Sequence, residues 1–135
     1  MPRLRTPRRG HKYWMPRHMY RMTVEFCRSY GELKQQLNEL TFLASPNMDG
    51  MPHSNDVSDS TARNAMAVMR VREKLSLIED SVRDCSGGLL YPFMLKAVTI
   101  EGWGWQTAQA EEIPIGRSAF FELKYKILYE VSRKL

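Results

Sequence analysis

WQTAQAEEIPIGRSAFFELKYKILYEV, from Trp105 to Val131, decides how this chain is read. A short amphipathic segment comes first, then a turn at Ile113-Pro114-Ile115, then a longer segment that is apolar on one side and basic on the other. Phe120, Leu123, Ile127 and Val131 recur at three- and four-residue steps, which gives the second helix one buried stripe. Ala110 is expected where the two helices cross at close range, with Ile113 and Ile115 filling the angle between them. Arg117, Ser118, Phe121, Glu122, Lys124 and Tyr125 fall to the other side, and Lys126 follows them. The pattern is that of a helix-turn-helix, whose second helix enters a DNA major groove and reads base edges from its first turn. The plainer alternative is an ordinary helical hairpin within a bundle. Pro114 stands where such turns often carry glycine; proline fixes φ near −65° and supplies no positive-φ position.

Working outward, the N-terminal 22 residues hold Arg3, Arg5, Arg8, Arg9, Lys12, Arg17 and Arg21 and no acidic residue, in a chain whose net charge is only +5. Pro2, Pro7, Gly10 and Pro16 interrupt this stretch, so residues 1–15 read as a flexible basic arm. Arg3, Arg5, Arg8, Arg9 and Lys12 are its candidate phosphate contacts, giving a salt-sensitive affinity or a minor-groove contact. The alternative is a solvated tail that keeps the protein in solution. Tyr13 and Trp14 are its only apolar anchors, too few for a membrane-surface helix.

Residues 16–86 read as a helical region. Pro16 opens a helix to about Ser29, with Met19, Met22, Val24, Phe26 and Cys27 on its apolar side. After Tyr30-Gly31 comes a helix from about Glu32 to Leu43, with Leu33, Leu37 and Leu40 on one face; the two are also readable as one kinked helix. Residues 44–58 form a loop rich in Pro, Gly, Asn, Asp and Ser. Its Asp49, His53, Asn55 and Asp56 lack both the spacing of a calcium loop and a second His or thiol for zinc, so a structured connection is expected rather than a metal site. The longest helix runs from about 58 to 84, with Ala62, Ala65, Met66, Met69, Leu75, Ile78 and Val82 as its apolar stripe, and Ser86-Gly87-Gly88 ends it. Residues 88–135 then hold one more helix, with Leu90, Phe93, Met94, Ala97 and Val98 inward, and the helix-turn-helix.

No strand-like alternation is found, so the fold class is all-α: a helical bundle with a C-terminal helix-turn-helix and a basic N-terminal arm. The composition excludes several functions. No run approaches the ~18 apolar residues of a membrane helix, and no apolar stretch follows the basic N-terminus, so neither a span nor a secretory signal is expected. Cys27 and Cys85 lie far apart and are read as reduced thiols of a cytoplasmic protein. His11, His18 and His53 are scattered, and no phosphate-binding glycine motif or nucleophile with an evident base is present. No enzyme activity, cofactor or metal is expected.

Three segments carry a resemblance to a known family. They are Tyr30-Gly31-Glu32-Leu33-Lys34 followed by Gln35-Gln36-Leu37; Met51-Pro52-His53-Ser54-Asn55-Asp56-Val57-Ser58-Asp59-Ser60-Thr61-Ala62 leading into a long helix; and Ile115-Gly116-Arg117-Ser118-Ala119-Phe120-Phe121-Glu122-Leu123-Lys124. In this order they resemble the phage late transcriptional regulators of the RinA and ArpU type, whose C-terminal unit is similar to sigma-factor region 4. The likeness spans most of the chain beyond the arm; Pro114 and the strongly basic arm depart from it. The resemblance implies a protein of the bacterial host cytoplasm that binds double-stranded DNA and activates phage or prophage late genes for packaging and structural proteins. Two other readings stay open: a sigma-like or antitermination factor acting through host RNA polymerase, and a helical packaging or assembly protein. One helix-turn-helix reads few base pairs, so a homodimer on a two-fold site is expected, with the long helix from Ser58 to Asp84 as the candidate dimer surface.

Overall fold

A computed structural model describes residues 6–44 and 56–135. Among the described residues there are five helices and no strand: α1 (Arg17–Arg28), α2 (Tyr30–Ala44), α3 (Asp56–Thr99), α4 (Trp105–Ala110) and α5 (Arg117–Lys134). The expected all-α class is the observed one among the described residues. The loop with Asp49, His53 and Asn55 lies outside the described residues, as do Arg3 and Arg5. No described helix is long and apolar enough to cross a membrane.

The chain divides into two compact units. One is built from the arm beyond Thr6, α1, the part of α3 from Leu77 onward, α4 and α5. The other, Gly31–Ser76, comprises α2 and the first part of α3. In this second unit Leu33, Val71 and Leu75 are buried.

α1 begins after Pro16, and Tyr20, Thr23, Val24 and Cys27 form its buried side at i, i+3, i+4 and i+7. This corrects the expected apolar side, since Met22 is half exposed at 51% and Met19 and Phe26 are only partly covered. Thr23 was missed because it is polar. Its hydroxyl donates to the Met19 carbonyl at 2.8 Å, so nothing polar is left unsatisfied when it is buried. The break after α1 falls at Ser29, whose hydroxyl donates to the Phe26 carbonyl at 2.6 Å, and Tyr30 and Gly31 already belong to α2.

α3 is two helical stretches meeting at Gly87, where φ is +72° and ψ is 175°. This is the expected stop at the glycine pair: a left-handed residue after a helix is a position that glycine adopts at low cost. The apolar stripe of the first stretch is corrected. Ala62 and Ala65 are exposed, as are Met66 and Met69 at 56% and 59%. The buried line instead runs through Val71, Leu75, Ile78 and Val82, with Ala67 and Val68 half-buried before it. Met69 and Val71 are two residues apart, about 200° around a helix, so one continuous stripe cannot hold both. After the kink, Met94, Ala97 and Val98 are buried as expected, while Leu90 and Phe93 are half-buried.

α1 and α5 pack against each other in the first unit. Phe120, Ile127 and Val131 of α5 are fully buried. Leu128, absent from the expected stripe, is also buried, which widens the apolar side of α5, and Leu123 is only half-buried.

Candidate nucleic-acid interface

The hairpin is built by a turn whose geometry the sequence left open. The N–H of Ile113 donates to the Ala108 carbonyl at 3.0 Å and that of Glu112 to the Gln109 carbonyl at 3.0 Å. This pair of bonds defines a Schellman ending for α4, with Glu112 in the left-handed position at φ +61°. The positive-φ residue that Pro114 cannot supply is therefore Glu112, two positions earlier, and Pro114 only follows the helix stop. Ala108 and Ile113, the two ends of the longer bond, are both buried, which supplies the apolar contact that accompanies such endings. Ala110 does not sit at the helix crossing. It is exposed, and Ala108, with no exposed surface, is the small buried residue of α4. Glu111 is held by Lys96 at 3.6 Å.

α5 starts at Gly116, which is extended, and its first turn is open. Arg117 and Ser118 are exposed, and the Arg117 guanidinium lies over the Phe121 ring at 5.8 Å from its centre. Phe121 is half-buried, edge-on to Phe120 at 5.3 Å. A polar cleft of about 360 Å³ lies beside Arg117, lined also by Gly102, Gly104, Trp105, Gln106 and Thr107. Lys124 and Lys126 are half-buried, and Glu122 is exposed. Tyr125 is corrected: it is 9% exposed and cannot join an outward-facing set, because the ring of His11 covers it edge-on at 5.9 Å.

His11 belongs to the arm, which is not flexible throughout. The His11 N–H donates to the Arg8 carbonyl and the Trp14 N–H to the His11 carbonyl, both at 2.9 Å, which folds residues 8–14 into successive turns. Pro7 and Met15 are buried at either end. The Tyr13 N–H donates to His11 Nδ1 at 3.1 Å, and His11 Nε2 lies 3.0 Å from a Glu122 carboxylate oxygen. Lys12 reaches the same carboxylate at 3.8 Å, and Tyr13 lies on Tyr129 at 5.8 Å between ring centres. Aromatic rings in a basic tail are costly to leave in water, and α5 offers rings to cover them. Of the arm's candidate phosphate contacts, Arg8, Arg9 and Lys12 are exposed; Arg9 stacks over Trp14 at 5.9 Å and Lys12 over Tyr13 at 5.1 Å. The sequence names His11 only among scattered histidines and Tyr13 only as an apolar anchor of the arm, and gives Tyr129 no role. The signal was the aromatic run His11-Lys12-Tyr13-Trp14 within an otherwise polar tail.

The structure thus brings Arg117, Ser118 and Phe121 together at the start of α5 and places Lys12 on Glu122 one turn later. The two thiols form no disulfide: Cys27 is buried and its ionisation is pushed up to about 12 by that burial, and burial also raises Cys85. Among the described residues no cluster of three His, Cys, Asp or Glu side chains is placed to hold a metal.

This is an all-helical protein ending in a short helix, a tight turn and a longer helix with a basic first turn. No family model, curated protein or solved structure matches it.

Proposed function

We propose that this protein is a sequence-specific DNA-binding regulator of transcription. One observation carries the reading: the exposed first turn of α5, with Arg117 and Ser118, is held rigidly by the Schellman-ended α4 and by the fully buried Phe120. A rigid helix with a basic, exposed N-terminal turn is the part of a helix-turn-helix that meets base edges. Lys12 reaches Glu122 on the same helix, exposed Arg8 and Arg9 precede it in the arm, and the three supply positive charge for phosphates. The resemblance to phage late regulators extends the proposal to activation of phage or prophage packaging and structural genes in the cytoplasm of a bacterial host, as a homodimer on a two-fold site.

The test is binding of the purified chain to fragments tiled across the late region of the phage or prophage that encodes it, at two salt concentrations and with competitor DNA. One fragment bound tightly against competitor is expected, with about 1–3 kcal/mol of that preference lost in Arg117→Ala if the arginine pairs with a guanine. Equal, weak and strongly salt-dependent binding to every fragment would refute sequence reading by α5. A preference that appears only when RNA polymerase is added would move the function to the transcription complex itself.

A further inference from the structure

The outward side of α5 carries a passenger. Glu122 is two residues from buried Phe120, and Tyr129 two from buried Ile127, about 200° around the helix in each case. Both therefore lie on the side facing away from the core, and the arm occupies both: His11 and Lys12 at Glu122, Tyr13 at Tyr129. A major groove about 12 Å wide admits one helix about 10–12 Å across. It has no room for a helix with a second chain segment lying along its outer side.

We propose that residues 8–14 are a displaceable cover on the outer side of α5, which DNA phosphates draw away as the helix enters the groove. The proposal rests on the DNA-binding reading above. The contacts that hold the cover are of a kind that yields. Lys12 and Glu122 are 67% and 48% exposed, and ion pairs that open to solvent are weak and screened by salt. His11 meets Glu122 through one ring nitrogen at 3.0 Å, while its Nδ1 accepts from the Tyr13 N–H. Lys12, the cation that holds the cover, is also one that a phosphate backbone attracts. Glu122 and the DNA compete for Lys12, and nothing on α5 competes as directly for Arg8 and Arg9, which are already turned to solvent. Arg117 and Ser118, one turn before Glu122, stay exposed with the cover in place, so the first turn can meet DNA before the arm has moved.

The test has two parts. In the full-length chain, proton–proton nuclear Overhauser contacts from the rings of His11 and Tyr13 to those of Tyr125 and Tyr129 are expected without DNA and are expected to vanish at saturation with the preferred fragment. Their persistence in the saturated complex overturns the proposal while leaving DNA binding intact. The second part is Tyr13→Ala, which changes no charge and removes the ring seated on Tyr129. If the covered form dominates, affinity for the preferred fragment rises by roughly three- to tenfold, the factor by which a scarce competent state weakens binding. An unchanged or lowered affinity, in a variant that has lost the His11–Tyr125 contact, also overturns the cover. Absence of binding to any fragment, by wild type and variant alike, removes the cover and the DNA-binding reading together.

Discussion

Replacing Glu112 by glycine is expected to stabilise the protein, although Glu112 lies in the turn on which the hairpin depends. Glu112 holds φ at +61° at the end of α4, and both bonds of that ending run through backbone N–H groups that glycine also has. A side chain in the left-handed region costs about 1–2 kcal/mol. Glycine relieves that cost but loses more freedom on folding, about 0.4–1 kcal/mol. The balance is a gain of about 0.5–1 kcal/mol, or roughly 2–5 °C in melting temperature for a chain of this size. A second effect points the same way: a carboxylate at a helix C-terminus opposes the helix dipole, by about 0.3–1 kcal/mol. Glu112→Ala separates the two, because alanine loses the charge and keeps the strain. The informative quantity is therefore the difference between the glycine and alanine variants. Urea unfolding followed by tryptophan fluorescence measures it well, since Trp14, Trp103 and Trp105 all belong to the unit that contains the turn. Equal midpoints for the two variants, or a lower midpoint for glycine, would refute the assignment of backbone strain to this residue.

Phe120→Ala, at a fully buried ring touched by Trp103, Trp105 and Phe121, is expected to cost about 3–5 kcal/mol in the same urea assay; a loss below about 1 kcal/mol would mean the ring is not central to the core. Cys27 should resist thiol reagents at pH 8 in the native state and react fully in urea, while the half-buried Cys85 reacts first; rapid native labelling of Cys27 would contradict its burial. Because folding raises the Cys27 ionisation from about 9 to about 12, the unfolded chain releases that proton first, and stability is expected to fall as pH rises across this window, at up to about 1.4 kcal/mol per pH unit; a flat alkaline profile would argue against it. Deleting residues 1–12 removes Arg3, Arg5, Arg8, Arg9 and Lys12, so binding to all DNA sequences should weaken and the slope of log affinity against log salt should flatten by at most about 4–5, whereas an unchanged slope would mean the arm touches no phosphate.

Periodicity and punctuation carried most of the fold. Phe120, Ile127 and Val131 are buried as their spacing demanded, Gly87 ends the long helix as a glycine pair should, and Pro16 precedes α1. The failures share a physical cause: hydrophobicity was counted where satisfaction or phase decides. Thr23 is buried because its hydroxyl is bonded within its own helix, which composition does not reveal. Met66 and Met69 are apolar at helical spacing, yet they are out of phase with Val71 and Leu75 and remain exposed. The turn is a failure of another sort. Glycine was sought at position 114, but the left-handed residue is a glutamate at 112, and no local signal marks a residue held there by its neighbours' hydrogen bonds. Tyr125 and the arm were misread together, since each covers the other and contacts 114 residues apart leave no trace in a local pattern.

That joint misreading bears on how the hairpin and the arm work as one surface. From α4 to the arm the rings form a continuous series: Trp105 on Phe120, Phe120 on Phe121, Phe121 on Tyr125, Tyr125 on His11, His11 on Tyr13 and Tyr13 on Tyr129. Phe120 and Tyr125 are buried and the other members of the series are half-buried, so it runs along the edge of the core. Arg117 stacks on Phe121 and Lys12 on Tyr13, which places one cation near each end. An aromatic face fixes a guanidinium with little loss of hydrogen-bonding capacity, because the cation's edge stays available while its plane is covered. The rings therefore do for the basic groups what a second layer of polar residues does in other sites: they orient charge without neutralising it. Glu122 is the exception, the acidic residue set among these cations, and its carboxylate is taken up by His11 and Lys12. A carboxylate repels phosphates unless a cation accompanies it, and in the seated arm Lys12 is that cation. The same contact thus screens Glu122 and keeps the arm beside α5, and its loss on DNA binding would leave that carboxylate exposed.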